Sequence, residues 1–336
     1  MGFQISIDAD GARFTTEPGE TVLDAALRQG IALPHGCRDG RCGSCAATLG
    51  AGEIDYPGGT PPALAGLGAE QCLTCRAVPR SDLHLDLPAR TRPDEPQQVR
   101  TLPCRVERIE RLAPEVMGLS LKLPDHDPLR FRAGQYLDVL LRDGSRRAFS
   151  FASAPALSPY LELHIRRVPG GRFTTEVFER LGERALLRVQ APLGDFGLDP
   201  TSTAPAILIG GGTGFAPLKS MIEDAIARGL QRPLLLYRGA RTRADLYLPD
   251  LAPRWAAEHP WFGHQAVLSE PEPDWDGRRG LVHQAVIEDF PDLAGHQVYI
   301  SGPPAMIEHA RPALLARGLD PAALFTDAFV DTSHGN

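Results

Sequence analysis

The chain has 336 residues, with 35 Lys and Arg against 42 Asp and Glu and a formal net charge of −7. At roughly 100 to 200 residues per domain this length predicts two or three domains, and the acidic balance excludes a basic surface for nucleic acid or anionic lipid. Met1 to Asp8 has neither the basic start nor the apolar core of a signal peptide, and no stretch approaches the ~18 apolar residues that span a bilayer. A cytoplasmic protein is expected, with no nucleic acid and no membrane as partner. In that compartment six cysteines read as metal ligands or free thiols rather than disulfides.

In chain order, Phe3 to Ile7 and Ala12 to Thr16 alternate around Asp10-Gly11, a hairpin signal, and Thr21 is placed to cap a helix over Val22 to Arg28. Ala46 to Leu49 and Leu83 to Leu87 add strands, so residues 1–90 predict a small mixed sheet with one helix. Residues 91–100, with Pro93 and Pro96, have the composition of an exposed linker. From 101 to 200 strands dominate: Val106 to Ile109, Gly118 to Leu123, Tyr136 to Leu141, Leu161 to Val168 and Leu186 to Gln190, spaced as in a small β-barrel, with one helix at Thr175 to Leu181. From 201 to 336 the rhythm becomes strand, loop, helix, which predicts a parallel sheet with crossovers. Its strands fall at Ala206 to Ile209, Leu234 to Tyr237, Gln265 to Leu268 and Val298 to Ile300.

Cys37, Cys42 and Cys45 are spaced C-x4-C-x2-C, and Cys75 follows after 29 intervening residues. This is the spacing of a plant-type 2Fe-2S cluster. Gly36, Gly40, Gly43 and Ser44 let one loop curl and aim backbone N–H groups at sulfur, offsetting negative charge. The competing reading is a zinc ribbon built from Cys42-x2-Cys45 and Cys72-x2-Cys75; it leaves Cys37 and the Gly-rich turn without a purpose. Cys72 and Cys104 are then surplus and read as small buried residues.

Arg147-Ala148-Phe149-Ser150 ends a strand that follows Ala133-Gly134-Gln135-Tyr136. A flavin site needs a cation for phosphate, a flat apolar surface and a hydrogen-bonding group near N5, and Arg147, Phe149 and Ser150 supply them in that order. Gly170-Gly171-Arg172-Phe173-Thr174 opens the Thr175 helix, where free N–H groups suit an anion. Gly210-Gly211-Gly212-Thr213-Gly214-Phe215-Ala216-Pro217 runs from a strand through glycines into a helix, which permits close approach to a pyrophosphate. Ser301-Gly302-Pro303-Pro304 follows another strand and precedes a helix at Ala305, on the edge of an α/β sheet where ligands bind. Each segment alone also reads as ordinary surface, core or loop; their order along the chain gives them weight.

Together these motifs resemble the ferredoxin-NADP reductase superfamily fused to a plant-type ferredoxin, over essentially the whole chain. The resemblance implies a multidomain fold: a β-grasp 2Fe-2S ferredoxin, an antiparallel β-barrel that binds FAD, and a Rossmann-like parallel-sheet nicotinamide domain. It assigns Cys37, Cys42, Cys45 and Cys75 to the cluster. Arg147, Ala148, Phe149 and Ser150 match the flavin motif R-x-Y-S, with Phe149 in place of Tyr. His164, Ile165, Arg166 and Gly170, Gly171, Arg172, Phe173 and Thr174 match the stretch that wraps the ribityl and pyrophosphate. Gly212, Thr213, Gly214, Ala216 and Pro217 match the nicotinamide-domain turn. Ser301, Gly302 and Pro303 stand where the family has C-G-P-P, with Ser301 in place of Cys; with Phe329 they fall at the nicotinamide. Ser150 and Ser301 are the expected catalytic residues.

Within the superfamily the closest likeness is to the CDP-6-deoxy-glucoseen reductases, iron-sulfur flavoproteins of dideoxysugar synthesis. It is carried by Gly212 to Met221, Val282 to Asp289 and Asp327 to Val330. Reductase components of aromatic-ring dioxygenases and monooxygenases share the domain order. The resemblance implies electron transfer from a nicotinamide dinucleotide through FAD and the cluster to an acceptor redox protein, a dehydratase or an oxygenase component. A redox-sensing binding module is a third reading, disfavoured because a sensor needs no hydride-delivery site. The donor is expected to be NADH. Arg238, Arg241 and Arg243, with no acid before Asp245, favour NADPH on physical grounds. The likeness of Ala240 to Tyr247 to NADH-using reductases points the other way.

Overall fold

The computed structural model describes residues 2–8, 11–87, 98–126 and 128–329. Asp10 of the hairpin turn, positions 91–97 of the expected linker, and Val330 lie outside the described residues. The chain divides into two compact units, Met1–Thr101 with Gln190–Asp195, and Leu102–Val189 with Phe196–Asn336.

The first unit holds β1 (Gln4–Ile7), β2 (Arg13–Thr15), α1 (Val22–Arg28), β3 (Ala46–Ala51), β4 (Ile54–Asp55), β5 (Gln71–Leu73), β6 (Val78–Pro79) and β7 (Leu83–Asp86). Five strands form a mixed sheet in the order β2-β1-β7-β3-β5, with β1 parallel to β7 and the other pairs antiparallel; β4 and β6 pair separately. Thr21 caps α1 by accepting from the Asp24 N–H at 3.1 Å, a contact worth about 1 kcal/mol. The helix buries Val22, Leu23, Ala25, Ala26 and Leu27, an apolar stripe that needs a sheet to cover it. Between α1 and β3 the chain forms no regular element, and this loop carries Cys37, Cys42 and Cys45.

The second unit begins with strands β8 (Arg100–Ala113), β9 (Val116–Lys122), β10 (Tyr136–Leu140), β11 (Arg146–Ser150) and β12 (Leu161–Arg166), then α2 (Arg172–Glu179) and β13 (Leu186–Leu193). Their order is β11-β10-β13-β8-β9-β12, and a bridge between Phe151 and Leu163 joins the two edges into a barrel. Closure removes the exposed edges that an open antiparallel sheet leaves. Helix α2 starts three residues before the expected Thr175, because Gly171 caps it without a side chain and so left no N-cap signal in the sequence.

The remaining elements are β14 (Ala206–Gly211), α3 (Phe215–Ala227), β15 (Leu234–Ala240), α4 (Leu251–Glu258), β16 (Phe262–Leu268), β17 (Arg278–Arg279), α5 (Val282–Asp289), β18 (Gln297–Gly302), α6 (Pro304–Leu315) and β19 (Leu324–Ala328). The strands run parallel in the order β17-β16-β15-β14-β18-β19. All six residues of β14 are buried, as expected for a strand covered on both faces. From β14 the chain goes first to one side, through β15 and β16, and then to the other, through β18 and β19. The C-terminal ends of β14 and β18 therefore flank a topological switch point, where open α/β sheets bind ligands.

Candidate cofactor sites

In the first unit the four thiols stand as two close pairs. Cys45 Sγ lies 3.2 Å from Cys75 Sγ, and Cys37 and Cys42 each donate a backbone N–H to the other's sulfur at 3.4 Å. Positive φ values at Arg38, Gly40 and Gly43 produce the tight curl. At position 36 a Cβ would lie 3.3 Å from the Cys42 sulfur, a tight fit that glycine avoids. The Cys42 thiol is drawn down to about 6 by its hydrogen bond with Cys37, while Cys37 and Cys75 are pushed up by their bonded thiol partners and by burial.

Among the described residues no group of three or more His, Cys, Asp or Glu side chains is arranged to hold a single metal ion. A 2Fe-2S cluster takes two thiolates on each iron, so two pairs suit it. The pairs are Cys37 with Cys42 and Cys45 with Cys75, not the two C-x2-C halves that a ribbon would use. Cys72 and Cys104 are buried, as expected, and all six cysteines are free thiols.

On β11, Arg147 and Phe149 are partly exposed and Ser150 is buried. The Phe149 ring lies 5.5 Å from that of Phe173, in the first turn of α2, and Arg172 pairs with Asp143 of the β10–β11 hairpin at 2.8 Å. The flavin-motif strand and the Gly170 to Thr174 turn are thus brought together. Thr174 Oγ1 accepts from Val168 N–H at 3.2 Å and packs where a Cβ on Gly171 would clash at 2.7 Å, so the turn closes tightly against the start of α2. The His164 ring is interior, with Nε2–H donating to Glu162 at 2.8 Å and Nδ1 accepting from the Tyr247 hydroxyl at 3.0 Å.

At the switch point, Gly214 packs so closely that a Cβ would come within 2.1 Å of the Ser301 carbonyl, and Gly212 has φ +55°. Pro217 sits in the first turn of α3 as expected. Ser150 from the barrel and Ser301 from β18 both donate to one carboxylate oxygen, Oδ2 of Asp327 on β19, each at 3.4 Å. All three side chains are buried, and Phe329 is tied alongside by its N–H to the Gly302 carbonyl at 2.9 Å. The two expected catalytic serines are brought together. The carboxylate joining them shows in the sequence only as an acid in a C-terminal apolar stretch, Asp327 between Phe325 and Phe329.

The junction of barrel and sheet rests on a second buried group. Lys219 of α3 donates to the Ala152 carbonyl and Glu162, both at 2.9 Å, and to Glu223 at 3.1 Å, while Ser220 donates to the Ser153 carbonyl at 2.8 Å. Burial alone would raise the Glu162 carboxyl, but the His164 hydrogen bond and the Lys219 ammonium outweigh it and hold it at about 2. Burial lowers His164 from 6.5, so the ring is neutral. Both folded-state values are depressed; each group therefore stabilises the fold above its unfolded pKa, and the contribution is lost as pH falls. The expected result is a melting temperature that declines below pH 6.5 through His164 and again from about 4.5 to 2 through Glu162. Glu162→Gln should cost roughly 3 kcal/mol at neutral pH and flatten the lower stage in thermal melts.

Of the three arginines that favour NADPH on physical grounds, Arg238 is taken up by the fold itself. It is 6% exposed, its guanidinium lies 3.8 Å over the Phe215 ring, and it donates to the carbonyls of Tyr247 and Leu248 at 2.7 and 3.4 Å. Alternation on β15 turned it into the α3 side of the sheet, where its donors fix the following loop. Arg241 and Arg243 remain at the surface.

Comparison with known proteins agrees with this geometry. Residues 5–80 match the 2Fe-2S iron-sulfur cluster binding domain, 103–197 the oxidoreductase FAD-binding domain and 208–312 the oxidoreductase NAD-binding domain. The chain is thus an oxidoreductase built to pass electrons among a nicotinamide dinucleotide, FAD and a 2Fe-2S cluster. It is 37% identical to the CDP-6-deoxy-L-threo-D-glycero-4-hexulose-3-dehydrase reductase of Yersinia pestis, covering 98% of this chain and 99% of that one. It is 36% identical to terephthalate 1,2-dioxygenase reductase component 1 of Comamonas sp., over the full length of both. The crystal structure of the Amycolatopsis cytochrome P450 reductase GcoB superposes with a TM-score of 0.83 at 35% identity, covering 98% of this chain and 100% of that one. The chain belongs to the ferredoxin-NADP reductase superfamily, in the group that carries an N-terminal ferredoxin domain. Among the described residues no helix is long and apolar enough to cross a membrane.

Proposed function

We propose that the chain is the NADH-dependent reductase component of a two-protein system in the cytoplasm, delivering single electrons to a separate redox protein. The dehydrase of a deoxysugar pathway is the leading acceptor, supported by the Yersinia relative and by the Gly212 to Met221 segment. An oxygenase component is the second, supported by the full-length likeness to the terephthalate dioxygenase reductase. Six free thiols suit a reducing compartment.

The observation that carries the reading is the pair of buried hydroxyls, Ser150 and Ser301, meeting on Asp327 at the switch point. A bound flavin would supply the conversion of a hydride pair into single electrons for the cluster, chemistry that belongs to the cofactors while the protein's residues position them. Ser150 holds a hydrogen bond toward the flavin, and Ser301 and Phe329 border the nicotinamide pocket. Asp327 positions both hydroxyls. Arg147 and the N–H groups of Arg172 to Thr174 take phosphate charge, Gly212 to Pro217 and Gly302-Pro303 receive the dinucleotide, and Cys37, Cys42, Cys45 and Cys75 hold the cluster.

The test is NADH-dependent reduction of cytochrome c by the purified holoprotein, followed by capture of its acceptor. Absence of turnover with either dinucleotide would overturn the reading. Arg147→Ala should weaken FAD binding about 10- to 100-fold in titrations of the apoprotein, the value of one or two charge-assisted hydrogen bonds. An unchanged Kd would remove Arg147 from the flavin site.

A further inference from the structure

We propose that Glu115, a barrel residue, determines dinucleotide specificity by disfavouring a 2′-phosphate, acting through Arg241. The inference rests on the reductase reading above. In a sheet of this kind the end of the second strand faces the 2′ position of the adenosine ribose, and an arginine there accommodates the extra phosphate of NADPH. That strand is β15, and the surface arginines beyond its end are Arg241 and Arg243. Arg243 is turned away: its guanidinium meets Asp274 at 3.4 Å and lies 5.5 Å over the Trp275 ring. Arg241 therefore stands nearest the 2′ position.

Its guanidinium lies between two carboxylates, Glu115 at 3.5 Å and Asp245 at 3.7 Å. Asp245 is committed to the loop itself, accepting from the N–H and the hydroxyl of Thr242, both at 3.1 Å. Glu115 is not. It comes from the turn between β8 and β9, fixed there by its carbonyl, which accepts the Arg167 N–H at 2.9 Å. The same Glu115 oxygen also meets Arg166 at 3.3 Å, and the Arg166 guanidinium stands 3.3 Å from where a Cβ on Gly212 would be.

One carboxylate thus spans from the glycine turn at the end of β14 to the arginine at the end of β15. A phosphate monoester carries about −1.5 to −2 charge and, placed on Arg241, would displace Glu115 and lie beside it. The ribose hydroxyls of NADH meet no such repulsion. Discrimination here works by penalising the wrong ligand, and the penalising residue lies outside the loop that carries the arginines.

The test compares kcat/KM for NADH and NADPH, and calorimetric binding of 2′,5′-ADP to the holoprotein, in wild type, Glu115→Gln, Arg241→Ala and the double variant. Glu115→Gln should tighten 2′,5′-ADP binding and shift the NADPH-to-NADH ratio upward about fivefold or more, a modest change suited to half-exposed charges. In the Arg241→Ala background the gain should vanish. Glu107→Gln, which breaks a pair with Arg105 elsewhere on β8, should keep the wild-type ratio. A Glu115→Gln ratio and 2′,5′-ADP affinity within about twofold of wild type, or a gain that survives loss of Arg241, overturns the proposal. A wild type that oxidises neither dinucleotide overturns the reductase reading and this proposal with it.

Discussion

Cys45→Ala should lower reduction of one-electron protein acceptors by at least roughly 100-fold, while the flavin stays bound and NADH still reduces ferricyanide. The thiol is buried and 3.2 Å from that of Cys75, so its loss takes one sulfur from a pair and leaves one iron with a single thiolate. The backbone there does not depend on the sulfur. The Cys45 carbonyl accepts the N–H and the hydroxyl of Thr74, both at 3.2 Å, and Ala47, two residues on, pairs with Cys72 in the sheet. The first unit should therefore fold in the variant, with the visible absorption of flavin alone.

Cys72→Ala is the control. That side chain is 1% exposed on β5, and its removal should cost about 1 kcal/mol of stability through lost packing and leave iron and sulfide in place. Metal analysis decides between the readings directly. Zinc without iron or sulfide in the wild type would end the cluster assignment, as would a Cys45→Ala protein with undiminished cytochrome c reduction.

What could be read in the sequence was local. Helix α1 was expected at Val22 to Arg28 and is found there, because Thr21 announces its start and its apolar spacing fills its length. Helix α3 follows the Gly-rich turn with Pro217 in its first turn, as expected. The cysteine loop was legible because its ligands are crowded into nine residues with the glycines that let them converge. Helix α4, and strands β17 and β19, left little signal: β17 has two residues, and Leu324–Ala328 mixes Thr and Asp into a buried strand.

The parts of the site that escaped are those made by tertiary contact. Lys219 reads as a charge within an amphipathic helix, yet it is buried on two carboxylates from different elements. Arg238 reads as a phosphate ligand and is a packed structural cation. Which face of a strand a residue takes is a matter of register, and register in a parallel sheet is set by partners far away in the chain.

Asp327→Ala should slow reduction of the bound flavin by NADH about 100-fold, with Ser301→Ala slowing it less than roughly tenfold. A hundredfold is about 2.7 kcal/mol, the scale of one strong or two weak hydrogen bonds to a charged acceptor. Both hydroxyls lie 3.4 Å from the carboxylate, longer than is usual for such bonds, so neither serine is held by a strong contact of its own. Without Asp327 the two hydroxyls lose their shared acceptor and are free to rotate, so a single carboxylate sets the orientation of both serines. Ser301 is the lesser loss because Ser150 alone faces the flavin in the proposed arrangement.

Asp327→Asn separates this role from packing, since it keeps the volume and one acceptor but removes the charge. A positioning role requires that the hydride step slow in Asp327→Asn while KM and the melting temperature stay near wild type. If Asp327→Asn reduces the flavin at the wild-type rate and Asp327→Ala merely melts earlier, the carboxylate is part of the β18–β19 packing and has no part in aligning Ser150 and Ser301.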